Sequence, residues 1–162
     1  MKRKSCILCI ISLFFVKSLA YDFKIDDICY NITSNKRPYT VEVTGNAEST
    51  YHYNGQPIVN IPDIVEYNNI KYTVTRIGTY AFRYSLSIKT ITIPESVMEI
   101  GKEAFAHCTN LDSINFPDSF DLVIRQNAFY NTKWYNNLED GAVYINKVLY
   151  RYKGKAPKNS TL

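Results

Sequence analysis

Cysteine and histidine are scarce in this chain, and their scarcity excludes several classes of protein. The 162 residues include four cysteines and two histidines, and two of the cysteines fall within the first twenty residues. The other two, Cys29 and Cys108, are too few for a small domain held together by disulfides. We expect both to be small packed hydrophobes rather than a disulfide bridge, because they belong to different predicted units. Neither forms a metal-ligand cluster with His52 or His107, so no metal site is predicted.

Glycine and proline are also infrequent, with six of each, and no segment has low complexity. The chain lacks the G-x-S-x-G, H-E-x-x-H and glycine-rich phosphate-binding motifs that would indicate catalysis or nucleotide binding. Two acidic pairs, residues 26–27 and 139–140, are interpreted as solvated turn residues. The neighbouring His107 and Cys108 are interpreted as an edge histidine and a packed thiol. No enzyme activity and no cofactor are therefore predicted.

The first twenty residues have the pattern of a secretory signal peptide. A basic start at residues 2–4 precedes an apolar run from Ile7 to Val16, in which Ser12 is the only polar residue. This run is too short to cross the ~30 Å of bilayer hydrocarbon, which disfavours a membrane anchor. We expect cleavage after Ala20 and a secreted or cell-surface location.

Net charge carries no functional signal once this segment is removed. The chain has 19 Lys plus Arg and 15 Asp plus Glu, and four basic residues precede Tyr21, which leaves 15 of each sign. Nucleic acid is therefore not a predicted partner, and no membrane span is expected in the mature chain. A basic cluster near the C-terminus is interpreted as a solvated strand face rather than an anion-binding patch. Its members are Lys147, Arg151, Lys153, Lys155 and Lys158.

A six-residue phrase that ends in Ala-Phe recurs three times. It occupies residues 77–82, 100–105 and 124–129. Phe82 and Phe105 are 23 residues apart, and Phe105 and Phe129 are 24 apart. Repeats of this length indicate stacked coils, each of which buries the apolar side of its neighbour. The three phenylalanines are predicted to form a column inside the stack.

Each unit is predicted to contain two short extended segments and a turn. Residues 89–93 alternate between apolar and polar, which places Ile91 on the buried face, and the following proline ends the strand. A second extended piece covers residues 97–100, and Gly101 allows the turn after it. A single helical turn around Ala104 is expected to bring the chain back.

These units resemble the BspA-like leucine-rich repeats. Residues 100–108 and 111–117 read IGKEAFAHC and LDSINFP, and the family unit resembles L-x-x-I-x-I-P-x-x-V-x-x-I-G-x-x-A-F-x-x-C. The departures are Ile88 for leucine, Ser85 and Thr132 for cysteine, and Arg125 for glycine. Arg125 departs most, because a turn that used glycine must there tolerate a side chain. The resemblance implies a mainly β leucine-rich-repeat solenoid with short helical turns, and a non-catalytic role in binding or adhesion.

The chain divides into four predicted segments. Residues 1–20 are the signal peptide, 21–54 an N-terminal β-hairpin cap, 55–132 the leucine-rich repeats in three to four coils, and 133–162 a C-terminal β-hairpin and tail. The C-terminal hairpin is predicted to turn at Asn146-Lys147. The chain stops at Leu162 without an evident final coil. We therefore expect either a truncated or split member of the family or a short form closed by this hairpin.

Five aromatic residues are the candidate ligand contacts. They are Tyr80, Tyr84, Tyr130, Trp134 and Tyr135. Tyrosine offers a large contact area with a polar tip, which suits a protein ligand such as a host matrix or cell-surface protein. A second hypothesis is a glycan ligand with Trp134 as the stacking platform, unless Trp134 packs between the hairpin and the last coil. A third is a structural spacer in a larger surface assembly.

Overall fold

The computed structural model describes residues 21–45, 53, 55–119 and 121–155. The predicted signal peptide, His52 and the tail from residue 156 lie outside these ranges, as does most of the stretch from 46 to 54. The described chain is mainly β, as the sequence predicts, and contains one short helix.

Twelve strands and one helix follow one another in the described ranges. They are β1 (Phe23–Ile25), β2 (Ile28–Ser34), β3 (Thr40–Thr44), β4 (Ile58–Asn60), β5 (Ile64–Tyr67), β6 (Ile70–Ile77), β7 (Thr90–Thr92), β8 (Glu99–Ile100), β9 (Ser113–Asn115), β10 (Val123–Ile124), α1 (Lys133–Asn137), β11 (Gly141–Ile145) and β12 (Val148–Lys153).

The strands form three sheets. The largest has the order β1-β2-β3-β6-β8-β10, with β5 paired to the first half of β6. The strands from β3 to β10 in this sheet are parallel, whereas β1, β2 and β3 pair antiparallel. A smaller parallel sheet contains β4, β7 and β9, and β11 pairs only with β12. Parallel neighbours that recur at the repeat spacing are the arrangement expected of stacked coils.

Each coil has three walls around a shared core. One strand lies in the small sheet, the next lies in the large sheet, and a turn segment leads back to the start of the following coil. The turn segments occupy residues 78–85, 101–108 and 125–132. The inward side chains of all three walls belong to one continuous apolar cluster that runs the length of the stack.

The turn segments are not helical, which corrects the single helical turn expected around Ala104. Each consists of successive tight turns, as when the N–H of Ala104 donates to Gly101 O and that of Ala106 to Glu103 O. Residues in the left-handed region interrupt them, with φ of 52° at Glu103 and 64° at His107. A helix cannot continue through a left-handed residue, so the chain turns sharply there.

The predicted phenylalanine column is present. Phe82 and Phe105 stack with ring centroids 5.2 Å apart, and Phe105 and Phe129 stack at 5.4 Å, with the planes within 6° of parallel in both pairs. All three rings are buried. Edge-on rings close both ends of the column, Tyr53 against Phe82 and Trp134 against Phe129. The repeat therefore builds its interior from identical layers, each of which covers the next.

The glycine position of the repeat packs directly on the preceding layer of the stack. A Cβ at Gly101 would lie 2.6 Å from the Thr79 backbone nitrogen, and one at Gly78 would lie 2.8 Å from the Val43 carbonyl oxygen. Arg125 takes this position in the third coil, and its guanidinium turns outward and back toward the neighbouring strand. The turn thus accommodates arginine, which is the largest departure of this chain from the family's repeat pattern.

Charges of alternating sign cross the outer face of the large sheet. Arg76 lies between two glutamates, 3.5 Å from Glu42 on β3 and 3.5 Å from Glu99 on β8. Arg125 then makes two contacts of 3.1 Å to the carboxylate of Glu99. These hydrogen bonds hold the pKa of Glu99 below its usual value. We call the row Glu42–Arg76–Glu99–Arg125 the charge ladder.

The N-terminal region contains two hairpins rather than the single one predicted. The first turns at Asp26-Asp27, both with positive φ, and joins β1 to β2. The second joins β2 to β3, and β3 then pairs in parallel with β6. This last pairing continues the antiparallel region directly into the large sheet of the stack.

The C-terminal hairpin forms as predicted, with Asn146-Lys147 in the left-handed conformation of a two-residue turn. In the first two coils the Phe N–H donates to a carbonyl of the following coil. At the last layer the Tyr150 ring of the hairpin packs edge-on against Phe129 at 5.9 Å, and burial raises the pKa of its hydroxyl. The Asn146 side-chain amide donates to the carbonyl oxygens of Pro117 and Ser119. Hairpin side chains thus cover the last ring of the column and satisfy backbone carbonyls beside the last coil.

Candidate binding surface

Two residues in each turn segment adopt the left-handed conformation, one before the Ala-Phe pair and one after it. In the first coil they are Tyr80 and Tyr84, with φ of 61° and 59°. In the third coil they are Asn127 and Asn131, both with φ of 57°. Asparagine tolerates this region well, whereas a bulky side chain there is uncommon and costs about 1–2 kcal/mol. Two tyrosines therefore occupy strained positions at the outside of the first coil.

Backbone hydrogen bonds to the next coil hold these positions in place. The N–H of Tyr80 donates to Lys102 O at 3.1 Å, and that of Tyr84 donates to Ala106 O at 3.0 Å. The same pattern links the second coil to the third, where the His107 N–H donates to Tyr130 O at 2.8 Å. Because these hydrogen bonds hold the backbone of each turn segment against the next, the outward side chains repeat at the spacing of the coils.

The outward side chains of the turn segments stack on one another. The Tyr84 ring lies 4.7 Å from the His107 ring and is inclined to it by 13°, and the Tyr130 ring meets His107 edge-on at 5.3 Å. The Arg83 guanidinium lies over both neighbouring tyrosines, 5.1 Å from the Tyr80 centroid and 4.9 Å from that of Tyr84. We call this set of five residues the aromatic ridge.

The ridge is accessible to a partner although its members contact one another. Tyr80, Tyr84 and Tyr130 are 37%, 39% and 51% exposed. Arg83 also faces Glu103, with 3.5 Å between its Nε and a carboxylate oxygen. The aromatic rings of three successive coils, together with one guanidinium, thus form a contact surface that is already assembled.

The sequence of this chain matches the BspA type leucine-rich repeat region over residues 63–149, in six copies. The chain belongs to this family. The predicted mainly β leucine-rich-repeat fold is confirmed by that match and by the strand content of the structure.

Solved structures of other leucine-rich repeat proteins resemble this BspA-type chain. One from Bacteroides ovatus ATCC 8483 is 44% identical, with a TM-score of 0.52, and the match covers 61% of this chain and 24% of that chain. The T. pallidum leucine-rich repeat protein is 26% identical, with a TM-score of 0.52, and the match covers 67% of this chain and 45% of that one. This chain therefore spans about a quarter of the length of the first protein and under half of the length of the second. No curated protein matches it significantly.

The other two predicted contacts of this BspA-type chain lie apart from the ridge, at the C-terminal end of the stack. Trp134 is half-buried and meets Phe116 and Phe129 edge-on, which is the packing role that competed with a glycan platform. Tyr135 is also half-buried, and its ring lies under the side chains of Arg151 and Lys153. Two members of the C-terminal basic cluster are thus engaged with an aromatic ring rather than free for an anion.

Arg83 is not among the contacts predicted from the sequence, and His107 is predicted only as an edge residue. His107 and Tyr84 each stand two residues after the phenylalanine of their coil, as Asn131 does in the third coil. A comparison of this position across the three repeats would have indicated that its side chains lie one above another. Asn131 contributes through its side-chain nitrogen, which lies 3.1 Å from His107 Nδ1.

The remaining candidates for chemistry are structural. No disulfide joins Cys29 to Cys108, and both side chains are buried. Burial raises the pKa of the Cys108 thiol to about 12, so it stays protonated at neutral pH, and it donates to Phe82 O at 2.9 Å. Among the described residues no cluster of potential metal ligands occurs. In the same ranges no helix is long and apolar enough to cross a membrane.

Proposed function

We propose that this protein is a secreted or cell-surface binding module that recognises a protein ligand through the aromatic ridge, without catalysis. The observation that carries the proposal is the exposed, mutually stacked arrangement of Tyr80, Arg83, Tyr84, His107 and Tyr130. Repeat stacks generally present extended surfaces for binding, and this one belongs to a leucine-rich repeat family.

The composition of the ridge favours a protein over other ligands. Tyrosine and arginine are enriched among residues that dominate the binding energy of protein interfaces. Each ring offers apolar area together with a hydroxyl, and the single guanidinium supplies a charged donor. The opposite charge of Glu103 lies beside that guanidinium, so the ridge has little net charge and does not favour a polyanion.

The side chains of the ridge also contact one another without a ligand. Tyr84 is restrained by its stack on His107, by Arg83 and by its backbone hydrogen bond to Ala106. Immobilising a flexible side chain on binding costs about 0.5–1.5 kcal/mol, and rings that are already held avoid part of that cost. Preorganisation of this kind supports recognition by contact area.

The proposed location rests on the N-terminal sequence. Residues 1–20 combine a basic start, an apolar run and a small residue before Tyr21, which is the pattern of an exported protein. N-terminal sequencing of the protein recovered outside the cytoplasm should begin at Tyr21. Recovery of the uncleaved chain in the cytoplasm would contradict export.

The experiment measures binding to a panel of purified extracellular-matrix proteins by surface plasmon resonance. Tyr84→Asn and Tyr130→Ala each remove a ridge ring, and asparagine is the appropriate replacement at residue 84 because Asn131 holds the equivalent left-handed position. Tyr144→Ala is the matched control, since Tyr144 is 60% exposed on the C-terminal hairpin. We expect both ridge variants to bind at least about tenfold more weakly, as for central interface residues.

Equal binding by the ridge variants and the control, with unchanged melting temperatures, would refute the ridge as the contact surface. A glycan array run in parallel separates the second hypothesis. Binding that Trp134→Ala abolishes in a folded variant would indicate a glycan site at the C-terminal end instead. Absence of any ligand for the folded protein would favour the structural spacer.

A further inference from the structure

The last strand of the large sheet has an open side. Among the described residues β10 pairs only with β8, and it ends the strand order of the sheet. In the preceding coils the carbonyls of Ile77 and Ile100 accept from Gly101 N at 2.7 Å and from Arg125 N at 2.9 Å. By the same repeat the Ile124 carbonyl faces away from β8, where an added strand would donate to it.

An apolar groove runs beside this open edge, between β10 and β12. Its deeper part is a hollow of about 100 Å³. The side chains that line it include Leu122, Ile124, Ile145, Leu149 and Tyr150. Apolar cavities of roughly 150 Å³ hold a molecule the size of benzene, so this hollow suits one branched aliphatic side chain.

The rim of the groove is positively charged. A second depression shares Ile124 and Tyr150 with the hollow and adds Arg125 and Arg151. None of the described residues that line either depression is acidic. The groove therefore combines an apolar floor with a cationic border, which complements a ligand of mixed apolar and acidic character.

The charge ladder ends at this rim. Arg76, in the interior of the ladder, has a glutamate on each side, whereas Arg125 pairs, among the residues that the structure describes, with a carboxylate only on the side of β8. Glu99 is the partner of Val123 in the strand register, and Arg125 reaches back to it from two residues further on. An acidic residue opposite Val123 on the open side would stand in the equivalent position.

We infer that this groove binds an extended peptide in which an acidic residue is followed by an aliphatic one, added to β10 as a parallel strand. The aliphatic side chain enters the hollow, the acidic one meets Arg125, and the peptide backbone pairs with Ile124. The strand is parallel because β3, β6, β8 and β10 are all parallel. The site is distinct from the aromatic ridge and uses none of its residues.

The chain itself supplies the probe. Residues 95–101, Glu-Ser-Val-Met-Glu-Ile-Gly, contain β8, which is the strand that follows the arginine-bearing β6 in the stack. This peptide, acetylated and amidated, is titrated into isotopically labelled protein while backbone amide shifts are followed by NMR. We expect saturable shifts at residues 122–127 and 148–151, with the ridge amides unaffected.

Charge reversal tests the role of Arg125. A peptide with lysine in place of its second glutamate should bind the protein roughly tenfold more weakly, and Arg125→Glu should weaken binding of the original peptide similarly. The lysine peptide should regain affinity for Arg125→Glu. Because Arg125→Glu also removes the pairing with Glu99, Leu149→Asp provides a second variant at an exposed position, 45% accessible, inside the groove. It should abolish binding without lowering the melting temperature.

Tyr130→Ala is the control that separates this site from the proposed function, because it removes a ridge ring and should leave peptide binding unchanged. Shifts that map to the ridge, or an absence of shifts at the highest soluble peptide concentration, would overturn the inference. So would charge reversal without recovery of affinity for the lysine peptide. Self-association in sedimentation that Leu149→Asp abolishes, in a protein that shows no shifts with the peptide, would assign the edge to a second copy of the chain instead.

Discussion

Truncation of the middle ring of the phenylalanine column should remove a large share of the folding free energy. Phe105 is fully buried and is stacked on both sides, at 5.2 Å from Phe82 and 5.4 Å from Phe129. Phe105→Ala leaves a cavity that two rigid neighbours cannot close, and such changes cost about 3–5 kcal/mol. Domains of this kind are stable by about 5–15 kcal/mol, so the variant should retain only part of its stability.

Urea denaturation followed by circular dichroism measures this loss. We expect a lower midpoint with an unchanged slope, because the surface exposed on unfolding is nearly the same. Phe105→Leu keeps most of the volume and should cost less than about 1.5 kcal/mol, which separates the cavity from the loss of the ring. If Phe105→Ala stays within about 1 kcal/mol of the unmodified protein, mutual shielding of the coils is not the main source of stability.

Three further substitutions test other parts of the stack. Gly101→Ala places a Cβ against backbone atoms of the preceding coil and should lower the free energy of unfolding by about 1–3 kcal/mol. Tyr150→Ala removes the ring that packs edge-on against Phe129 at 5.9 Å and should cost about 3 kcal/mol. Glu99→Gln addresses pH: a lowered pKa stabilises the folded state above the usual glutamate value, and this contribution is lost as pH falls through the lowered value. The variant should therefore show a slightly smaller loss of stability in acid.

Each of these outcomes has its own check. Thermal melts of Gly101→Ala are compared with those of Lys102→Ala, an exposed neighbour, and equal melting temperatures would show that the coils can separate at no cost. For Tyr150→Ala, an unchanged urea midpoint would mean that the hairpin ring does not support the last coil. Melting temperatures of Glu99→Gln measured from pH 7 down to pH 3 should converge on those of the unmodified protein, and parallel curves would contradict the assignment.

The interior of the stack could be predicted because the sequence states it three times. Each Ala-Phe pair occupies the same place in its repeat, so the column of Phe82, Phe105 and Phe129 follows from the spacing alone. The turn at Asn146-Lys147 was equally predictable, since asparagine there favours the left-handed conformation that the structure shows. Local chemistry and repeat period agreed at these sites.

The turn segments could not be predicted in the same way. Tyr80, Glu103 and His107 adopt positive φ because hydrogen bonds to the next coil impose it, not because these residue types prefer it. Only Asn127 and Asn131, in the third coil, carry a sequence signal for that conformation. The position of Trp134 was also undecidable, because its contact with Phe129 depends on how the chain leaves the last repeat.

At the paired left-handed positions of the turn segments, the side chain belongs to the exposed surface, whereas the backbone belongs to the hydrogen-bonded framework of the stack. Hydrogen bonds to neighbouring coils hold the backbone at these positions. A substitution there therefore changes the outer surface and leaves the buried core unchanged. β-branched residues are penalised at such φ values, which narrows the available choices to asparagine, glycine and a few larger side chains. Substitutions at these positions would therefore change the exposed surface of the stack, but with only a few residue types to choose from.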